Sequence, residues 1–98
     1  MYIKKVGIAG TLESSDITIT IEPREQMGIE IMLQSSLEKQ FGKQIRKVII
    51  DTLKENGVEN ASVRAIDKGA VDYVIKARTQ TALYRAADVV EYNWDGVM

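Results

Sequence analysis

The chain lacks the residues on which much enzyme chemistry depends. Its 98 residues include no cysteine and no histidine, which excludes disulfides, thiolate nucleophiles, imidazole bases and Cys- or His-based metal sites. There is one proline, and the longest aliphatic run, residues 48–50, is far shorter than the ~20 residues that span a bilayer. The sequence therefore predicts neither a membrane protein nor a catalyst of the Ser-His-Asp or Cys-His type.

Charge and length narrow the class further. Thirteen basic and fourteen acidic residues give a net charge of −1 with no basic block, a poor electrostatic match for nucleic acid. A chain that is 45% apolar suits one core, so we expect a single domain over residues 1–98, with 88–98 as a C-terminal tail. The amino terminus lacks the apolar segment of a signal peptide, and we expect a cytoplasmic protein.

The first third of the chain predicts strands. Residues 4–12 indicate a first strand, with Val6 and Ile8 on one face and glycine and alanine on the other. The alternation of isoleucine and threonine over Ile17–Ile21 indicates a second strand. The polar residues 13–16 between them predict a hairpin tip. A third strand is expected over Ile29–Gln34.

The remainder predicts two helices around a fourth strand. The spacing of Ser35 and Glu38 indicates a capping box before a helix whose apolar stripe includes Leu37, Phe41 and Ile45, and Asn56-Gly57 indicates its end. Residues 61–66 predict a strand, and Asp67 a cap for a second helix over about 69–87. The order βββαβα predicts an α+β fold: a mainly antiparallel four-stranded sheet with two helices packed on one face.

Three motifs identify a family. They are A-G-T-L-E-S-S-D over 9–16, S-L-E-K-Q-F-G over 36–42 and D-K-G-A-V-D over 67–72. In this order and spacing they closely resemble the acyl carrier, or gamma, chains of citrate lyase, over about Val6 to Ala86. The phosphopantetheine carriers of fatty-acid synthesis are helical bundles with a different serine motif, so the resemblance is to the citrate lyase pattern alone.

The resemblance implies a covalent cofactor on Ser14. In that family the serine after the glutamate of G-T-L-E-S is esterified by 2′-(5″-phosphoribosyl)-3′-dephospho-CoA, whose thiol carries acetyl and citryl groups. The implied partners are the alpha chain, which exchanges acetate for citrate, the beta chain, which cleaves the citryl thioester to oxaloacetate, and the transferase that attaches the group. A chain without cysteine can offer a hydroxyl but no thiol, which agrees with a non-catalytic carrier whose sulfur is imported.

Several alternatives stay open at this stage. Ser15 competes with Ser14 as the attachment residue. Glu13 and Asp16 are interpreted as solvated turn carboxylates, with Asp16 accepting from nearby amides, rather than as acids or bases. Asp67 and Asp72 are explained by helix capping and first-turn charge rather than by a metal. The alternative function is an unmodified α+β module that binds a metabolite or another chain; a carboxylate-based hydrolase lacks a convergent acid and base.

Two surfaces could contact partners. Four basic residues form one flank of the first predicted helix, which is either a solvated face or a docking surface: Lys39, Lys43, Arg46 and Lys47. Tyr92 and Trp94 in the tail follow the last predicted helix, and they are interpreted equally well as partner contacts or as packing against the domain.

Overall fold

A computed structural model describes residues 1–89 of the chain and confirms the order βββαβα. The strands are β1 (Gly7–Ala9), β2 (Ile17–Glu22), β3 (Gly28–Ser35) and β4 (Asn60–Asp67), and the helices are α1 (Glu38–Glu55) and α2 (Asp72–Ala86). The predicted tail falls mainly on residues 90–98, which lie outside the described residues. Within residues 1–89, no helix is both long and apolar enough to cross a membrane.

The four strands form one sheet in the order β1-β2-β4-β3. β2 pairs antiparallel with β1, as the predicted hairpin requires. It also pairs antiparallel with β4, whereas β3 pairs parallel with β4. The parallel pair arises because α1 returns the chain to the end of the sheet where β3 began. The sheet is therefore mixed, with two antiparallel pairings and one parallel pairing.

The core lies between one face of the sheet and the two helices. Every second residue of β2 and β4 is buried, as the alternating pattern predicts for a sheet covered on one face. The large side chains with almost no exposed surface are Ile17, Ile19, Ile21, Val63, Ile49, Leu53, Ile75 and Leu83. Burying each contributes about 1.5 to 3 kcal/mol relative to an exposed position.

β1 packs against α2 through its small residues. Gly7 and Ala9 are buried, whereas Val6 and Ile8 are each about half exposed. A Cβ on Gly7 would lie 2.2 Å from the carbonyl oxygen of Ala82 on α2. The strand and the helix can approach this closely only because the residue has no side chain.

The two helices end as expected but do not begin as expected. Gly57 has a φ of +76°, and its amide and that of Val58 donate to Lys54 and Leu53, which forms a Schellman motif. At the start of α1 the predicted capping box is wrong, because the N-cap residue is Leu37 and has no side-chain cap. Ser35 instead ends β3. Its hydroxyl donates to the carboxylate of Asp67 and accepts from the amide of Leu37 at 3.1 Å, while the carboxylate of Glu38 pairs with Arg46.

Asp67 likewise ends a strand rather than capping α2. It lies at the end of β4, opposite both Ile17 and Ser35 in the sheet, and its side chain is buried. One of its carboxylate oxygens accepts from the amide of Ala70, in the loop before α2. The helix begins only at Asp72, with Val71 as the N-cap residue.

Candidate functional site

The loop over residues 10–16 joins β1 to β2 at the end of the sheet where β3 and β4 finish. The pairing of Ile17 with Asp67, and of Ser35 with Asp67, brings this loop and the starts of both helices to the same end. Ser14 lies in the turn of the loop and is exposed. The predicted hairpin tip is therefore confirmed, and Ser14 is accessible from solvent.

The geometry of the loop explains why the A-G-T-L-E-S motif has a glycine at position 10. Gly10 has a φ of +100°, and a Cβ there would lie 1.8 Å from the carbonyl oxygen of Ile17. Both the backbone conformation and the close approach exclude a side chain. The loop can thus leave β1 and pass directly over the start of β2.

Backbone hydrogen bonds fix the residues that follow Ser14. The amide of Ser15 donates to the carbonyl of Lys68, and the amide of Lys68 donates to the carbonyl of Asp16, each at 2.8 Å. Ser15 has a φ of +66°, an uncommon conformation for a residue other than glycine. Within residues 1–89, the hydroxyl of Ser14 makes no hydrogen bond. The two backbone hydrogen bonds hold the loop against the segment around Lys68, and the side-chain oxygen of Ser14 takes no part in them.

Asp16 is the polar centre beneath the loop. Its side chain accepts from both Nε and Nη2 of Arg78 on α2 at 2.9 Å, from the hydroxyl of Thr11 at 2.7 Å and from the amide of Ile17 at 2.7 Å. These donors, with that from Arg78 the strongest, hold the pKa of Asp16 well below its usual value against the opposing effect of burial. The pKa of Arg78 is raised in turn.

The sequence interpretation of Asp16 is therefore half right. It does accept from a neighbouring amide, but it is 8% exposed rather than solvated. Its partner Arg78 lies 62 residues away and was missed. The sequence did contain a signal for this pair. Arg78 lies four residues after Val74 and four before Ala82, so it interrupts the apolar stripe of the helix. A charged side chain in such a position needs a partner of opposite charge.

Thr11 connects the two sides of the loop. Its hydroxyl donates to Asp16 and accepts from the amide of Glu13, and its carbonyl accepts from the hydroxyl of Thr18. Thr11 was not singled out from the sequence, where it is one of several threonines. Glu13 itself is exposed, in agreement with its interpretation as a solvated turn carboxylate.

The other two carboxylates considered from the sequence, Asp67 and Asp72, make hydrogen bonds that join elements of the fold. Asp67 accepts from Ser35 and Ala70, and Asp72 accepts from the side-chain amide of Gln44 at 2.7 Å. Among residues 1–89, no three acidic side chains are grouped so as to hold a metal ion. The basic flank is partly neutralised, since Arg46 pairs with Glu38 and Lys47 with Asp51.

Residues 10–16 thus form a braced loop that presents two exposed serines, Ser14 and Ser15, in a chain with no thiol of its own. This is the arrangement of a carrier domain, and a model of an acyl carrier family, described as malonate decarboxylase delta subunit (MdcD), matches residues 4–86. The chain is 60% identical to the citrate lyase acyl carrier protein of Streptococcus mutans, over 96% of this chain and 92% of that protein. It is 53% identical to that of Fusobacterium nucleatum, over 96% and 100%.

The chain belongs to the citrate lyase acyl carrier protein family. Its role is that of an acyl carrier rather than a catalyst, and membership of the family implies a covalently attached prosthetic group. Among solved structures, a chain of a Pseudomonas malonate decarboxylase hetero-tetramer in complex with malonate superposes with a TM-score of 0.64. It covers 88% of this chain and 92% of that chain at 17% identity, so it supports the fold alone.

Proposed function

We propose that Ser14 is the residue that carries 2′-(5″-phosphoribosyl)-3′-dephospho-CoA, joined to the protein through a phosphodiester. The observation that carries the proposal is the free, exposed hydroxyl of Ser14 in a loop fixed by Gly10, Asp16 and the contact of Ser15 with Lys68. A modifying enzyme can reach such a hydroxyl without unfolding the domain. The group supplies the thiol that the chain lacks.

The residues around the loop suit an attached phosphate. Lys68, whose carbonyl accepts from Ser15, is an exposed cation beside the loop. Both helices begin at this end of the sheet, and helix N-termini are electropositive. Asp16 is the nearest buried carboxylate, and Arg78 balances its charge. The charge of Asp16 is therefore balanced, and the second buried carboxylate at this end of the sheet, Asp67, accepts from the hydroxyl of Ser35 and the amide of Ala70.

The carrier would present acetyl and citryl groups to two enzymes. In this proposal the alpha chain of citrate lyase exchanges acetate for citrate on the arm, and the beta chain cleaves the citryl group to oxaloacetate and restores the acetyl form. A flexible arm on a fixed loop raises the effective concentration of the acyl group at both active sites. The same chain serves the transferase as substrate, in the cytoplasm.

Ser15 is the nearest competitor within the loop. It is exposed as well, and within residues 1–89 its hydroxyl also makes no hydrogen bond, but its amide donates to Lys68 and its backbone lies in the left-handed region. Ser14 is favoured because it directly follows Glu13, in the place that the family motif gives to the modified serine. The second candidate function is an unmodified binding module, and it predicts that neither serine carries an added mass.

Intact mass of the protein from its native host, followed by peptide mapping across residues 6–24, tests the proposal. We expect one added group of the mass of phosphoribosyl dephospho-CoA, located on Ser14. Ser14→Ala should abolish both the added mass and the carrier activity in a reconstituted complex, while Ser15→Ala retains them. An unmodified native protein would favour the binding module, and loss only in Ser15→Ala would move the site by one residue.

A further inference from the structure

An apolar cleft lies between the starts of the two helices. Its volume is about 390 Å³, and Leu37 and Phe41 of the α1 side face Val71 of the α2 side across it, above the buried Ile45 and Ile75. Leu37, Phe41 and Val71 are 40%, 44% and 54% exposed. The sequence placed Leu37 and Phe41 on the apolar stripe of the first helix, but the structure leaves both side chains, and that of Val71, partly exposed to solvent. Apolar side chains grouped in this way indicate a binding surface.

The cleft is next to the proposed attachment residue. Gly69 lines it and directly follows Lys68, whose carbonyl accepts from the amide of Ser15 at 2.8 Å. Bond lengths and this hydrogen bond together place the Cα atoms of Ser14 and Gly69 at most about 10 Å apart. A Cβ on Gly69 would meet no atom within 4 Å, so the approach over this residue is open.

The rim of the cleft is polar and negative. Asp72 accepts from the side-chain amide of Gln44, which joins the two helices across the cleft. Within residues 1–89, the other carboxylate oxygen of Asp72 (Oδ1) and the side-chain oxygen of Gln44 (Oε1) make no hydrogen bond and can accept from a ligand. A cleft with an aromatic wall and acceptors at its rim suits a flat, uncharged ring that bears an amino group.

We propose that this cleft binds the adenine base of the arm on Ser14. This inference rests on the proposed function, because it requires that group at that residue. Its phosphate joins the serine to a ribose that is attached to the 2′ oxygen of the adenosine, so the base stands two sugars from Ser14. The diphosphate farther along the arm would be repelled by Asp72 at the rim of the cleft, whereas the exocyclic amine of adenine would donate to it. The pantetheine remains outside the cleft and free to reach the partner enzymes.

Nuclear magnetic resonance on the modified full chain, after its mass is checked, tests the inference. We expect nuclear Overhauser contacts between the adenine H2 and H8 protons and the side chains of Leu37, Phe41 and Val71, and adenine shifts displaced from those of free dephospho-CoA. Phe41→Ala should remove the displacement. Tyr73→Ala, which removes an aromatic ring that is 78% exposed and does not line the cleft, should leave it unchanged.

The outcomes separate the two proposals. Added mass on Ser14 with adenine shifts equal to those of free dephospho-CoA would overturn the adenine site and leave the carrier proposal intact. Cleft residues that shift only when the alpha or beta chain is added would overturn it too, and would assign the cleft to a partner. Absence of added mass in the native protein would overturn both. Because the readout is a contact, it does not depend on the activity of the loaded complex.

Discussion

Arg78 of α2 donates two hydrogen bonds, both 2.9 Å long, to the two carboxylate oxygens of Asp16 beneath the Ser14 loop. Asp16 is the last residue of the loop before β2 and Arg78 lies in the middle of α2, so the pair joins the loop to the helix layer. The side chain of Asp16 is 11% exposed and that of Arg78 is 41% exposed. Two-point contact of this kind fixes orientation as well as distance.

Arg78→Met should destabilise the domain by about 1 to 3 kcal/mol, because it leaves a mostly buried carboxylate with only Thr11 and the Ile17 amide as donors. The range is below that of a fully buried pair because solvent reaches the guanidinium. Urea unfolding at neutral pH measures the change. The matched control is Lys76→Met, whose ion pair with Glu55 is exposed on both sides and should contribute under about 1 kcal/mol. Equal effects of the two variants would contradict a special role for the Asp16 pair.

Acid should weaken the fold through Asp16. Since its pKa in the folded state is lowered, the folded state binds this proton less readily than the unfolded state, and the stabilisation is present above the ordinary value of 3.8. It is lost progressively as the pH falls below that value. Asp16→Asn should be less stable than the wild type at pH 7 and should lose less stability between pH 4 and 2.

The free energy of unfolding, measured at several pH values in both proteins, checks this. Asp51→Asn provides the control, since Asp51 pairs with Lys47 on the exposed side of α1. Because both side chains of that pair are largely exposed, Asp51→Asn should change the free energy of unfolding at pH 7 by less than about 1 kcal/mol. Parallel curves for Asp16→Asn and the wild type would show that other carboxylates cause the acid dependence.

Gly10→Ala should be far more harmful than Gly28→Ala, although the two residues have φ values of +100° and +101°. Both variants force alanine into a conformation that costs about 1 to 2 kcal/mol. Only at position 10 would the new Cβ also collide with backbone, 1.8 Å from the Ile17 carbonyl oxygen, whereas at position 28 it meets nothing within 4 Å. The difference between the two melting temperatures isolates the collision. A rise in the rate of proteolysis within residues 10–16 is expected in Gly10→Ala alone.

Sequence predictions that depend on neighbouring residues were correct, whereas several that depend on contacts between distant parts of the chain were not. The alternation over Ile17–Ile21 and the Asn56-Gly57 stop were correct because each is decided by neighbours in the chain. The capping box failed because Ser35 lies opposite Asp67 in the parallel pair of strands, and its hydroxyl donates there. Sequence spacing alone could not predict that register.

The same distinction between local and distant contacts applies to the candidate site. The position of Ser14 in a turn was predictable, since polar turn residues separate two strand patterns. The bracing by Arg78 was not, because contact between residues 16 and 78 depends on how α2 packs on the sheet. Similarly, the stripe of α1 predicted a face but not its limit, so Leu37 and Phe41 were assigned to the core although it ends at Ile45.

The last prediction concerns the C-terminal segment. At the end of α2 the amide of Asp88 donates to Arg85 and that of Val89 to Tyr84, and Asp88 has a φ of +61°, which is a second Schellman motif. Truncation after Ala87 removes both donors and should cost about 1 to 2 kcal/mol. Truncation after Val89 keeps them. The tail predicted from the sequence, 88–98, therefore begins with two residues that complete the helix end.

Both truncations should weaken assembly with the proposed partners, the citrate lyase alpha and beta chains, because each removes Tyr92 and Trp94, aromatic residues of a kind enriched at interfaces. Sedimentation of the modified carrier with the partner chains measures assembly, beside urea unfolding of each variant alone. The decisive protein is the one cut after Val89, since its helix end is intact. If it is as stable as the full chain but assembles poorly, residues 90–98 contact a partner. If it loses stability and the folded fraction still assembles, the segment packs on its own domain and the docking hypothesis is wrong.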